Sequence, residues 1–358
     1  MNVEALCGSL LIGGFQGTFL PESYARALRK NRRGGAILFR HNVQTDPLQV
    51  VALARQIHSA STAPLLGIDQ EGGRVRRLRA PFIEVPSMSV VACIGDPAFA
   101  ETLARAVASE LAAVGCTLNF APVLDVNTCP HNPVVGDRAF SAESEVCARY
   151  GLAWIRGLES SGLLAAPKHF PGHGDTSSDS HFDLPIVRQS LQRLERVELA
   201  PFRAAIAAGV GVMMTAHVVY PALDPNLPAT LSAAICTELR ERLGFQGMLL
   251  SDDLEMRAVA DRWPVGEAAV AAVAAGCDAL LVCHGEAAQE MALEALIREC
   301  ERSPAFAARC EQARGRVFVA RRRTRAQPAT DTEVMRIVGG SESRLAALQI
   351  EERLRLRP

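Results

Sequence analysis

The chain has 358 residues with 38 Lys+Arg against 39 Asp+Glu, a net charge of −1, so no overall basic field exists to hold nucleic acid or an anionic membrane. Apolar residues make up 49% of it, too many for a disordered chain. Among the 38 basic residues only Lys30 and Lys168 are lysines, so a lysine is the exception wherever it stands.

The first fifteen residues, MNVEALCGSLLIGGF, have no basic leader region and no small-residue cleavage site. No later run approaches the roughly 18 apolar residues of a membrane span. The ten cysteines (7, 93, 116, 129, 147, 236, 277, 283, 300 and 310) contain no C-x-x-C pair and no tight cluster along the chain, which is the pattern of free thiols in a reducing compartment. The expectation is a cytoplasmic monomer whose partner is a small molecule rather than a membrane or nucleic acid.

Short apolar runs recur at 10–15, 36–39, 65–69, 117–123, 163–170, 210–218, 247–252 and 279–283. They do not alternate polar with apolar, as expected of strands buried on both faces of a parallel sheet. Ala/Arg/Glu/Leu-rich segments with helical spacing lie between them, at 46–60, 98–114, 143–161, 190–208 and 286–302. Eight such β-then-α units predict a single (β/α)8 TIM-type barrel over residues 1–325, with a doubly wound open sheet as the competitor. Residues 326–358 read as a short C-terminal extension of unknown role. It follows a basic knot of Arg321, Arg322, Arg323 and Arg325, and 341–357 forms a charged surface helix with Leu345, Leu348 and Leu354 as its apolar contacts.

A barrel keeps its chemistry at the C-terminal ends of its strands. Asp69 ends the third run, Lys168 and His169 the fifth, His217 the sixth and Asp252 the seventh. The densest segment is KHFPGHGDTSSDSHFDLP, 168–185, with Gly172 and Gly174 loosening its backbone. Asp179 and His181 are two apart and point the same way in an extended segment; a carboxylate beside an imidazole makes a proton donor and acceptor near neutral pH. His169, His173 and Asp175, with His181 further on, could supply metal ligands, but the spacing is a weak metal signal, since Pro171 and the glycines break the helix that would align them. In GMLLSDDLEM, 247–256, a strand delivers Asp252 to the rim, and Asp253 points elsewhere as an N-cap of the next helix. In GIDQEGGRVRRL, 67–78, and GDRAFS, 136–141, Asp69 can accept sugar hydroxyls, Arg77 and Arg138 offer fork-shaped donors, and Gly72-Gly73 permit a tight turn. A phosphate-cradling glycine motif is absent.

GIDQEGGRV, NFAPVLDV (119–126), GDRAFS, KHFPGHGD…DSH and FQGMLLSDDLEM together resemble the bacterial β-N-acetylhexosaminidases of glycoside hydrolase family 3, in the same order from about residue 6 to about residue 320. The resemblance implies a single-domain enzyme of the peptidoglycan-recycling type that removes terminal N-acetylglucosamine with retention through a covalent glycosyl-aspartate, without metal or other cofactor. It makes Asp252 the nucleophile, His181 the acid/base and Asp179 the residue that polarises it. It places Asp69, Arg77, Arg138, Lys168 and His169 on the sugar, with His217 on the pocket rim. Muropeptides are the expected substrates. A β-N-acetylglucosaminide phosphorylase is an alternative, because a neutral histidine base does not repel phosphate. A metal-dependent hydrolase using the His/Asp cluster and a non-catalytic sugar-binding barrel are alternatives of other classes.

Overall fold

A computed structural model describes residues 2–177, 180 and 184–355. Each of the eight apolar runs overlaps a strand of one parallel sheet: β1 Leu11–Gly13, β2 Gly35–Leu38, β3 Leu65–Ile68, β4 Leu118–Asn119, β5 Leu164–Ala165, β6 Val212–Met214, β7 Met248–Asp253 and β8 Ala279–Val282. The sheet order is β5-β4-β3-β2-β1-β8-β7-β6. Beyond β5, a parallel bridge between Phe170 and Thr215 and the hydrogen bond from Phe170 N to Met214 O join the two ends of this order. The result is a nearly closed TIM-type barrel rather than an open sheet. Six of the strands are shorter than the apolar runs that predict them, because the chain beyond regular pairing turns into the rim loops.

The helices include α1 Val3–Gly8, α2 Pro47–Ala60, α3 Pro97–Ala113, α4 Ser144–Ser160, α5 Val265–Ala275, α6 Glu286–Arg302, α7 Pro304–Arg323, α8 Asp331–Ile337 and α9 Ser341–Arg355. Their starts are written locally. Asp46-Pro47, Asp96-Pro97 and Ser303-Pro304 each place a side-chain acceptor at the N-cap and a proline at the first helical position, which satisfies a free backbone donor and presets φ. Segment 190–208 forms two short helices, Leu191–Arg196 and Leu199–Ala207, instead of one. Among the described residues no helix is long and apolar enough to cross a membrane.

The C-terminal extension lies against the barrel helices. Val334, Val338, Ala346 and Ile350 join the main apolar core. The buried Glu110 carboxylate on α3 accepts from Ile83 N at 2.7 Å, Gly339 N at 2.9 Å and Ser343 Oγ at 2.5 Å. The apolar contacts expected of α9 are corrected here: Leu345, Leu348 and Leu354 face solvent, while Ser343, Ala346 and Ile350 are buried. Leucines are poor guides where a small residue lets two helices approach. The basic knot is partly internal. Arg321 donates to Gly34 O at 2.6 Å and Arg323 to Gly209 O at 3.0 Å.

Candidate active site

The C-terminal ends of the strands surround a cavity of about 390 Å³, lined by Asp69, Glu71, Arg77, Arg138, Lys168, His169, Asp252 and their neighbours. That is room for a small ligand. After β3 the chain makes a hairpin, Gln70–Gly72 against Val75–Arg76, turned through Gly72 and Gly73 with positive φ of 116° and 55°. Gln70 clamps it: its Oε1 accepts from Arg77 N at 2.9 Å and Leu78 N at 3.1 Å. Asn119 on β4 exchanges two hydrogen bonds with the Gln70 backbone. Arg77 is thereby aimed back across the cavity, and its guanidinium also lies over the Phe39 ring, 5.7 Å from the centroid.

One wall is a chain of alternating charges. Arg77 Nη2 donates to Asp69 Oδ2 at 3.0 Å, and Lys168 Nζ donates to Asp69 Oδ1 at 2.8 Å and to Glu71 Oε1 at 2.6 Å. Arg138 closes on Glu71 through Nε at 2.9 Å and Nη2 at 2.8 Å. Burial alone would raise the Asp69 and Glu71 pKa values, but the cations outweigh it and both carboxyls are held below their usual range. Burial would likewise lower Lys168, and Asp69 and Glu71 overcome it, so the ammonium is held charged. Lys168 has three N–H groups and spends two on these carboxylates, leaving one for a ligand. Arg77 Nε is buried with no partner among the described residues, a second spare donor.

His169 is oriented by Asp125, which sequence reasoning did not single out. The Asp125 carboxylate accepts from His169 Nδ1 at 2.7 Å and from the backbone N–H of His169 and His173 at 3.1 and 2.7 Å. Nδ1 therefore carries the proton, and the opposite nitrogen is left to the cavity. Burial pushes the His173 pKa down to about 4. Its ring nitrogens lie 2.8 Å from Thr176 Oγ1 and 3.1 Å from Ser180 Oγ, so it presents neither nitrogen as a metal ligand. The segment's glycines do not loosen it as expected. A Cβ at Gly174 would lie 1.9 Å from Val126 O, and one at Gly172, whose φ is 135°, would lie 2.9 Å from Glu198 Cβ. Both permit close packing of this loop on its neighbours.

Asp252 stands at the end of β7 and faces the cavity. Among the described residues its only hydrogen bond is from Asp253 N, at 2.8 Å. Burial would raise its pKa, but His217, His169, the Asp253 amide and Lys168 bring it below the usual carboxylate range. Among the described residues it is an ionised carboxylate with unspent lone pairs. Asp253 does not cap the next helix, whose N-cap is Met256. Its Oδ1 accepts from Glu255 N at 3.1 Å and Cys283 N at 3.2 Å, and its Oδ2 lies 3.2 Å from His284 Nε2.

Of the residues expected on the sugar, Asp69, Arg77, Arg138, Lys168 and His169 come together around the cavity. His217 does not line it. It is buried behind Asp252, with Nε2 2.9 Å from Asp253 O and Nδ1 2.8 Å from Thr230 Oγ1, and burial lowers its pKa. Its two ring nitrogens are thus engaged with Thr230 and the Asp253 backbone at the end of β7. Asp179 and His181 lie outside the described residues. Glu71 and Asp125 are the acids missed. Glu71 is two residues after Asp69 and so shares its face of an extended segment; Asp125 sits inside NFAPVLDV.

Residues 18–319 match the glycosyl hydrolase family 3 N-terminal domain. A β-hexosaminidase of Alkalilimnicola ehrlichii is 43% identical over 291 residues, covering 79% of this chain and 82% of the relative. One of Pseudomonas aeruginosa is 43% identical over 299 residues, covering 81% and 87%. Among solved structures, NagZ of Neisseria gonorrhoeae in complex with N-trifluoroacetyl-D-glucosamine superposes with a TM-score of 0.80 at 31% identity, covering 96% of this chain and 97% of that one. A family 3 β-N-acetylglucosaminidase from a Paenibacillus strain has a TM-score of 0.89 at 37% identity, covering 99% and 69%.

Proposed function

The chain belongs to glycosyl hydrolase family 3 and has β-hexosaminidase relatives over most of its length, and from that premise we propose that it is a retaining exo-β-N-acetylglucosaminidase. The observation that carries the reading is the opposition within one cavity of a charge-paired wall, with spare donors on Lys168 and Arg77, to an ionised Asp252 with free lone pairs.

In the first step Asp252 attacks the anomeric carbon, the glycosidic bond breaks, and the imidazolium of His181 gives its proton to the departing oxygen. In the second, neutral His181 takes a proton from water, whose oxygen displaces Asp252 from the anomeric carbon. Asp179 holds the His181 imidazole and favours its protonated form. Asp69, Arg77, Arg138, Lys168 and His169 bind the sugar, and the rigid pairing among them is the reason it can be held in one orientation. The ring of His169 is fixed by Asp125. Catalysis is assigned to residues 1–325, with muropeptides of a reducing, cytoplasmic compartment as the source of substrate. Thiols free at every described cysteine support that compartment.

The test compares an aryl N-acetyl-β-glucosaminide with the corresponding glucoside, following the anomer released, with and without phosphate. We expect preference for the N-acetyl sugar, β-anomer as first product and no sugar phosphate; an α-anomer first product would refute retention. His181→Ala should lose on the order of 100-fold or more on a natural disaccharide but far less on an aryl glycoside whose leaving group needs no proton. Equal losses would remove His181 from the acid role.

A further inference from the structure

Three of the ten cysteines, scattered in sequence, are gathered by the fold. Cys7 lies on α1, Cys300 near the C-terminal end of α6 and Cys310 on α7. The Sγ of Cys300 is 3.5 Å from those of both Cys7 and Cys310, and all three sulfurs lie within 4.8 Å of one another. Cys7 and Cys310 are fully buried and Cys300 is 6% exposed. Cys7 precedes β1, and α6 runs back from the end of β8, so the trio sits at the end of the barrel away from the Asp252 cavity.

We propose that Cys7, Cys300 and Cys310 form a binding site for a thiophilic monovalent d10 cation, for which Cu(I) is the probe. The group is sulfur only, and soft thiolates select soft ions over Mg²⁺, Ca²⁺ or Mn²⁺. Structural zinc takes four ligands, almost always tetrahedrally, and the described residues contribute three here; a three-sulfur shell suits Cu(I). The spacing is close to what a trigonal site needs. At a metal–sulfur distance of about 2.3 Å, sulfurs in one plane lie about 4.0 Å apart, so the two 3.5 Å pairs open by roughly half an ångström. In the empty site Cys300 forms hydrogen-bonded thiol pairs with Cys7 and with Cys310. Binding therefore replaces S–H bonds with S–Cu bonds and releases the protons to solvent, with no change in oxidation state. The Arg309 guanidinium, which acts electrostatically on Cys310, offsets part of the negative charge that three thiolates leave around a single positive ion. The site joins the helix that leads into the first strand to the two helices that follow the last, so an ion there links the first and last units of the barrel.

The test is anaerobic titration of the full chain with Cu(I) against a chromogenic Cu(I) chelator, followed by X-ray absorption at the copper edge. The expected result is one Cu(I) per chain held by three sulfurs, without nitrogen or oxygen neighbours, and a higher Tm in the loaded protein. Cys300→Ser should weaken binding on the order of 100-fold or more while glycosidase activity, measured on the same sample, reports an intact fold. Cys236→Ser, at a separate buried thiol whose Sγ faces Ala229 O, should change it less than about twofold. Loss of all copper from the wild type to the chelator overturns the proposal. So does wild-type affinity in Cys300→Ser, or a disulfide among the three cysteines in the protein as isolated. None of these outcomes bears on the assignment of Asp252 or His181.

Discussion

Two aspartates at opposite ends of the barrel show what the fold does with the same side chain. Asp278 immediately precedes β8, fully buried, and its carboxylate is saturated: Oδ1 accepts from Arg309 at 2.8 Å and Arg316 at 3.2 Å, and Oδ2 accepts from Leu249 N at 2.9 Å and from Arg240. Asp252 ends β7, faces a cavity, and among the described residues accepts only the amide of its neighbour. A carboxylate whose lone pairs are all engaged can stabilise but cannot attack. One kept charged by surrounding groups, with its lone pairs unspent, is equipped to attack and contributes less to holding the chain together. The wall opposite Asp252 lies between these extremes, its carboxylates paired but its cations keeping spare donors.

The sharpest break between the two aspartates is in activity. Asp252→Asn should lower kcat by about 10⁴-fold or more, the loss expected when a nucleophile is removed, while the urea midpoint stays near that of the wild type. Asp278→Asn should do the reverse. Three guanidiniums would lose their shared counter-charge in the interior, at a cost of about 3–5 kcal/mol, while kcat at a temperature where the variant is folded stays within about twofold of wild type, there being no contact with the cavity. If Asp278→Asn reduced kcat as strongly as Asp252→Asn, the division of labour between the two ends would be wrong.

A smaller effect concerns pH. The folded His173 has a pKa of about 4, whereas an unfolded histidine titrates near 6.5. As pH falls through that window the unfolded chain takes up a proton that the folded chain refuses, so stability is full above about 6.5 and is lost toward 4, by about 3 kcal/mol at most. The depressed carboxyls of Asp69 and Glu71 act in the same direction, but only once pH drops below the unfolded carboxyl range. Urea unfolding of the wild type at pH 7, 5.5 and 4.5 should show the decline, and His173→Gln should flatten it. An unchanged slope in that variant would locate the pH sensitivity elsewhere.

Much of this molecule was legible one residue at a time. Eight buried apolar runs, and starts such as Asp46-Pro47 and Asp96-Pro97, are local signals that tertiary contacts had no cause to override. Asp69, Lys168, His169 and Asp252 were legible because a strand ending in an ionisable group points that group at the barrel rim. Glu71 was within reach by the same two-residue period that aligns it with Asp69. Asp125 was hidden just past the fourth apolar run, where its apolar neighbours made it look structural, and only the fold brings it to His169 across 44 residues.

By itself, then, the amino-acid order determined the barrel, the strand-end rim around the cavity and most of the side chains on it, because periodicity and strand-end placement are properties of adjacent residues. Tertiary structure alone decided how those side chains are used. It paired Lys168 with two carboxylates, engaged both nitrogens of His217 behind Asp252, and packed the loop glycines against Val126 and Glu198. It buried Ala346 and Ile350 where leucines were expected, and it collected Cys7, Cys300 and Cys310 into one group of thiols. The physical reason is the same in each case. Partnership, burial and pKa depend on which groups stand within a few ångströms, and that distance is set by the packing of segments far apart in the chain.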